Sequence, residues 1–86
     1  MDINNLIAIV KRKLTNKILI EKIEIEDKSF LHKKHSGNEE GMFHLKLIIN
    51  SDELKMQNRI ESNKKIYKIL EKEMKEFIHS LQILIN

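Results

Sequence analysis

Asp27 to Gly41, read DKSFLHKKHSGNEEG, limits what this chain can fold into more than any other stretch. It separates two alternating runs that read as β-strands, and it is much longer than the about 2–5 residues of an ordinary hairpin loop. A connection of this length inside a compact domain is usually functional or disordered. It holds both glycines of the chain, Gly37 and Gly41, and two of its four histidines, His32 and His35; His44 follows just after. The loop therefore reads as the working part and the remainder as its frame.

Residues Asp2 to Leu14 form the first predicted helix. Ile3, Leu6, Ile7, Val10 and Leu14 share one face at the helical period. Asp2 can accept hydrogen bonds from free amides of the first turn. Lys11, Arg12 and Lys13 complement the dipole at the other end. Thr15 to Lys17 are expected to turn the chain. Ile18 to Glu26 then reads as a strand, in which Ile23 and Ile25 alternate with Glu24 and Glu26. Met42 to Asn50 is the clearest strand: Phe43, Leu45, Leu47 and Ile49 point one way, and His44, Lys46 and Ile48 the other.

Ser51 and Asp52 offer helix caps. A short helix is expected through Ile60 and a longer one from about Asn63, with a bend at Ser62–Asn63, two poor helix formers in succession. Ile66, Leu70, Met74 and Phe77 make the buried stripe. Glu71 with Lys75, and Lys72 with Glu76, are spaced for exposed ion pairs. His79 to Ile85 closes the chain as a strand with Leu81, Ile83 and Ile85 on one face. The order is α-β-β-α-α-β, an α+β fold in one domain spanning 1–86.

Only four residues are aromatic (Phe30, Phe43, Tyr67 and Phe77), so the core must be built from Ile and Leu. The net charge of +3 permits weak attraction to nucleic acid without demanding it. There is no cysteine, which excludes disulfides and any metal or cluster site with thiolate ligands of its own. No signal-like N-terminus is visible, and no apolar run approaches the ~20 residues of a membrane span. A soluble cytoplasmic protein is the expectation. No HExxH, CxxC or phosphate loop is present. No Ser–His–Asp order stands out either, so self-contained catalysis is not expected.

Topology brings histidines together. If the first two strands form a hairpin below the long loop, the helices must carry the chain back toward the loop edge. The last strand then starts at that edge and runs parallel to the second, by a right-handed crossover. His79, at its start, lies beside the loop with His32 and His35. A histidine in a polar loop is ordinarily only solvated; three at one edge suit zinc, copper or iron. His44 is expected to stay outside the group, on the open face of the sheet.

These residues resemble the BolA-like proteins along nearly the whole chain. The points of likeness are Ser29, His32, His35 and Gly37 after the acidic Glu26–Asp27; His44 opening HLKLIINS; Leu54, where the family usually has an aromatic residue; Tyr67, Leu70 and Met74; and IHSL, Ile78 to Leu81, close to the family's IHAL. The chain departs at Ser62–Asn63, where the family commonly has Arg-His, and at Met56, where it has glycine.

The resemblance implies a KH-like (class II) fold, with a three-stranded mixed sheet and helices on one face. It further implies partnership with a monothiol glutaredoxin, the two proteins sharing a 2Fe–2S cluster that the isolated chain would not hold, in cluster trafficking or iron and redox sensing. The family's ligands fall on His79 and His32, with His35 as an alternate. The chain has no thiolate, so a partner would supply the sulfur ligands. Alone, it is expected to be a monomer or a weak homodimer.

The resemblance also implies an alternative, a KH-like DNA-binding transcriptional regulator of stress response or morphology. The KH clamp needs a GXXG loop. Gly37 and Gly41 are four apart and lie between strands, so that clamp is absent. Lys33, Lys34, Lys64, Lys65 and Lys68 remain as candidate phosphate contacts.

Overall fold

The computed structural model describes residues 1–29 and 42–86. The elements are α1 (Ile3–Lys17), β1 (Lys22–Asp27), β2 (Phe43–Asn50), α2 (Asp52–Lys55), α3 (Arg59–Ile69), α4 (Glu71–Glu76) and β3 (Ile78–Ile85). The sheet order is β1-β2-β3, antiparallel between β1 and β2 and parallel between β2 and β3. The fold is α+β with a mixed three-stranded sheet, as the alternation and the crossover rule predict.

Register stacks the apolar positions in rows. Ile23, Ile49 and Ile85 lie side by side, as do Ile25, Leu47 and Ile83, and then Leu45 with Leu81. Leu6, Val10 and Leu14 of α1, Leu54 of α2, Ile66 of α3 and Leu70 are buried against this face. Each such side chain contributes about 1.5–3 kcal/mol relative to exposure. The other face carries Glu24, Ile48 and Leu84 in one row, and Glu26, Lys46 and Gln82 in the next. No described helix is long and apolar enough to cross a membrane.

Several boundaries differ from expectation. α1 runs through Thr15–Lys17 instead of turning there, and the Thr15 hydroxyl is satisfied within the helix by donating back to Lys11 O (2.8 Å). Ile18 is then the helix C-cap and a core residue, so β1 begins only at Lys22. The helical break falls at Met56–Asn58, not at Ser62–Asn63. Asn58 caps α3 by accepting from Glu61 N–H (2.9 Å). Ser62 sits inside α3 with its hydroxyl donating to Leu54 O (2.8 Å), which ties α3 to α2. A further break at Leu70 separates α3 from α4.

The described ion pairs do not include Glu71–Lys75 or Lys72–Glu76. Instead Glu73, buried on α4, takes Lys13 of α1 through both carboxylate oxygens (2.9 and 2.8 Å). Lys65 of α3 reaches Glu53 of α2 (2.9 Å).

Candidate functional site

Asp27 at the end of β1, Phe43 at the start of β2 and Ile78 at the start of β3 lie at one edge of the sheet. Ser29 and Met42, the described residues on either side of the loop, are at that same edge. His79 is therefore at the loop edge, as the topology predicts. His32, His35, Lys33 and Lys34 lie outside the described residues.

The entry of β3 is irregular in a way that places His79. Phe43 pairs with Ile78, yet the next residue, His44, pairs with Ser80. One residue of β2 thus faces two of β3, a bulge of the kind that re-aims side chains near functional sites. Without it, strand alternation would turn Ser80 toward the core and Leu81 outward. With it, Ile78 and Leu81 are both buried while His79 and Ser80 are both exposed.

The bulge also corrects the expectation for His44. His44 belongs to the open-face row with Ser80, but its side chain is not turned away into solvent. The residue is only 6% exposed. Its ring centroid lies 4.9 Å from that of His79, tilted by 58°. His44 Nδ1 shares a 2.6 Å hydrogen bond with Ser80 Oγ. Its backbone is held as well: His44 N–H donates to Ser29 Oγ (3.1 Å), and His44 O accepts from Lys28 N–H (2.7 Å). Ser29 N–H in turn donates to Asp27 Oδ1 (2.9 Å). The edge thus presents two adjacent imidazoles, one exposed and one anchored.

Alternation assigned His44 to the correct face, but burial on that face is not legible from parity. The signal that could have found the bulge is the spacing of three between Ile78 and Leu81, next to the spacing of two through Leu81, Ile83 and Ile85. Among the described residues no group of three or more His, Cys, Asp or Glu could hold a metal ion.

The model of the family described as BolA-like protein matches residues 14–86. The chain belongs to the BolA-like proteins. Solved BolA-like structures share its fold. The BolA domain of SufE1 from Arabidopsis thaliana superposes with a TM-score of 0.77 at 28% identity, covering 92% of this chain and 87% of that one. BolA1 from the same plant gives a TM-score of 0.75 at 23% identity, with 92% and 87% covered. Among curated BolA-like relatives, the DNA-binding transcriptional regulator BolA of Haemophilus influenzae is 28% identical, over 87% of this chain and 70% of that protein. The SufE-like protein 1, chloroplastic/mitochondrial, of Arabidopsis thaliana is 29% identical over 86% of this chain. The chain spans only 21% of that protein's length.

Of the candidate nucleic-acid contacts, Lys64, Lys65 and Lys68 all lie on α3. Lys64 and Lys68 are exposed, and Lys65 is engaged by Glu53.

Proposed function

We infer that this BolA-like chain is an adaptor that docks a monothiol glutaredoxin and holds a 2Fe–2S cluster jointly with it, as cargo or as a signal. The observation that carries the reading is the exposed His79 ring, set on a strand bulge and packed on His44 at the loop edge. A strand-borne ligand is held more firmly than one on a loop.

The donor chemistry fits. Two imidazoles on one iron of a 2Fe–2S cluster is a known arrangement, and it raises the reduction potential above that of all-thiolate clusters. This chain offers imidazoles and no thiolate, so the sulfur ligands come from the partner. His79 is the fixed ligand, and His32, or His35 three residues on, is the loop ligand that the family resemblance implies. His44 positions the His79 ring. Its anchors are Ser80 Oγ on the imidazole and Ser29 Oγ on the backbone N–H. Mixing the chain with cluster-loaded monothiol glutaredoxin should give a one-to-one complex that co-elutes with iron and sulfide. Separate elution, with all the iron left on the glutaredoxin, would remove this reading.

A second reading, a cytoplasmic DNA-binding regulator, is favoured by the curated relative of that name and by the exposed lysines of α3. With a net charge of +3, binding to duplex DNA should be weak and fall steeply as salt rises. A mobility-shift series in salt measures this. A tight, sequence-selective complex at physiological salt would place the regulator first.

A further inference from the structure

β3 is an edge strand, and its outward side is open toward one end. In a parallel ladder, alternate residues direct both N–H and C=O to the neighbouring strand. Asn86 N–H donates to Ile49 O (2.8 Å), so Leu84 and Gln82 also face β2, and Leu81, Ile83 and Ile85 face away from it. The Tyr67 hydroxyl closes the outward edge at Leu81 by donating to its carbonyl (3.0 Å). Past Leu81, the half-buried Ile83 and Ile85 border an open groove of about 310 Å³ between the strand and the α2–α3 junction.

The groove has two unlike parts. Leu54, Ile83 and Ile85 make an apolar wall. Lys55, the last residue of α2, and Arg59, the first of α3, are exposed and make a basic end. Neither cation is in an ion pair among the described residues, and no Asp or Glu lines the groove. Their place along the strand follows from topology. β2 and β3 finish side by side at Ile49 and Ile85, and α2 starts just after Asn50, so the cations stand at the end toward which β3 runs. Two of the positions where this chain departs from the BolA-like pattern are also here. Leu54 in place of an aromatic residue and Ser62 in place of arginine both line the groove, and these smaller side chains leave it room.

We propose that this groove takes the free C-terminus of another protein, ending in an apolar residue, as a short strand added parallel to β3. Three features select that occupant together. The outward N–H and C=O of Ile83 and Ile85 are matched by the backbone of an added strand. The apolar wall of Leu54, Ile83 and Ile85 receives the last side chain of the peptide. A strand running in the direction of β3 points its terminal carboxylate at Lys55 and Arg59, where charge-assisted hydrogen bonds hold it. An internal segment brings no backbone carboxylate to that point. A nucleic acid matches the two cations but neither the apolar wall nor the strand edge. The site lies at the end of β3 away from His79, so it is independent of the cluster reading.

Fluorescence polarisation of the whole chain against a library of short peptides tests this. The peptides carry fluorescein at the N-terminus and a free carboxylate at the other end, with every residue type represented in last place. Binding should concentrate in peptides that end in Val, Ile, Leu or Phe. Amidating the terminus of the tightest binder should weaken it about ten-fold or more, the loss expected when a charge-assisted hydrogen bond is removed. The double variant Lys55→Glu, Arg59→Glu should weaken binding by at least as much. Its circular dichroism spectrum should stay folded, because both positions are exposed and an acid suits the first turn of α3. With peptide bound to the wild type, the Ile83 and Ile85 amides should exchange more slowly with solvent, while those of Gln82 and Leu84, already turned to β2, should not change. A library with no binder at roughly millimolar concentration overturns the proposal. So do equal affinities of the acid and its amide, affinity retained in the double variant, or protection that misses Ile83 and Ile85. A single-stranded oligonucleotide that protects those two amides where no peptide does gives the groove to nucleic acid, and overturns it equally.

Discussion

At the scale of single residues, the site depends on one extra amino acid. His79 is the residue by which β3 exceeds β2 at the bulge, and this lets Ile78 and Leu81 both enter the core. That His79 lies near the start of the last strand, at the loop edge, was readable from chain order alone. That His44 packs against it was not, because burial on the open face depends on tertiary neighbours that no local alternation encodes. Glu53 shows another long-range effect. Its carboxyl is held below the usual carboxylate range, first by the hydrogen bond from the Lys65 ammonium and then by the Leu19 N–H (3.3 Å). A depressed folded-state pKa contributes stability that is present above the unfolded-state value and lost as pH falls through the folded one. The wild type should therefore exceed Glu53→Gln in urea midpoint at neutral pH, and the gap should close as acid protonates the carboxylate in the folded state. A gap that is constant with pH would mean that the carboxylate charge contributes nothing.

At the scale of elements, strand existence and face were legible because apolar residues recur at every second position, as Ile23 and Ile25, Leu45, Leu47 and Ile49, and Leu81, Ile83 and Ile85 do. Helix ends were less so, because caps are chosen by tertiary partners. The Ser62–Asn63 pair looks like a break by propensity, yet the Ser62 hydroxyl finds Leu54 O and Asn58 supplies the true cap four residues earlier. Ser51 works harder still. Its Oγ accepts from Leu54 N–H (3.2 Å) as the cap of α2 and donates to Leu19 O (2.8 Å) across to the α1–β1 connection. It is only 1% exposed. Ser51→Ala deletes both bonds and leaves the N–H of the buried Leu54 unpaired, a loss of about 1–3 kcal/mol. Asn58→Ala, at an exposed cap, should lose about 1 kcal/mol. Denaturant titration of the two variants should rank Ser51→Ala as the more destabilised, and the reverse order would contradict this account of the α2–α3 junction.

At the scale of the whole molecule, the β2–α–β3 crossover determines which end of the last strand meets the loop. The mixed sheet followed from element order because a parallel return requires a crossover of one hand. The proposed partner and cluster come from the family resemblance and not from packing, since among the described residues no group of three or more His, Cys, Asp or Glu could hold a metal ion. The central claim is that His79 is a cluster ligand in a complex with a monothiol glutaredoxin. The most direct measurement is the visible absorption and circular dichroism of cluster-loaded glutaredoxin titrated with this chain and its histidine variants. The wild type should change the spectrum to a one-to-one endpoint as imidazole replaces thiolate, and acid should reverse the change because the ligating nitrogen must be deprotonated. His32→Ala should weaken the change, with His35 able to substitute. His44→Ala should shift it without abolishing it, since the His79 ring loses its packing neighbour. His79→Ala should leave the glutaredoxin spectrum unaltered, and a wild-type endpoint spectrum from His79→Ala would contradict the assignment.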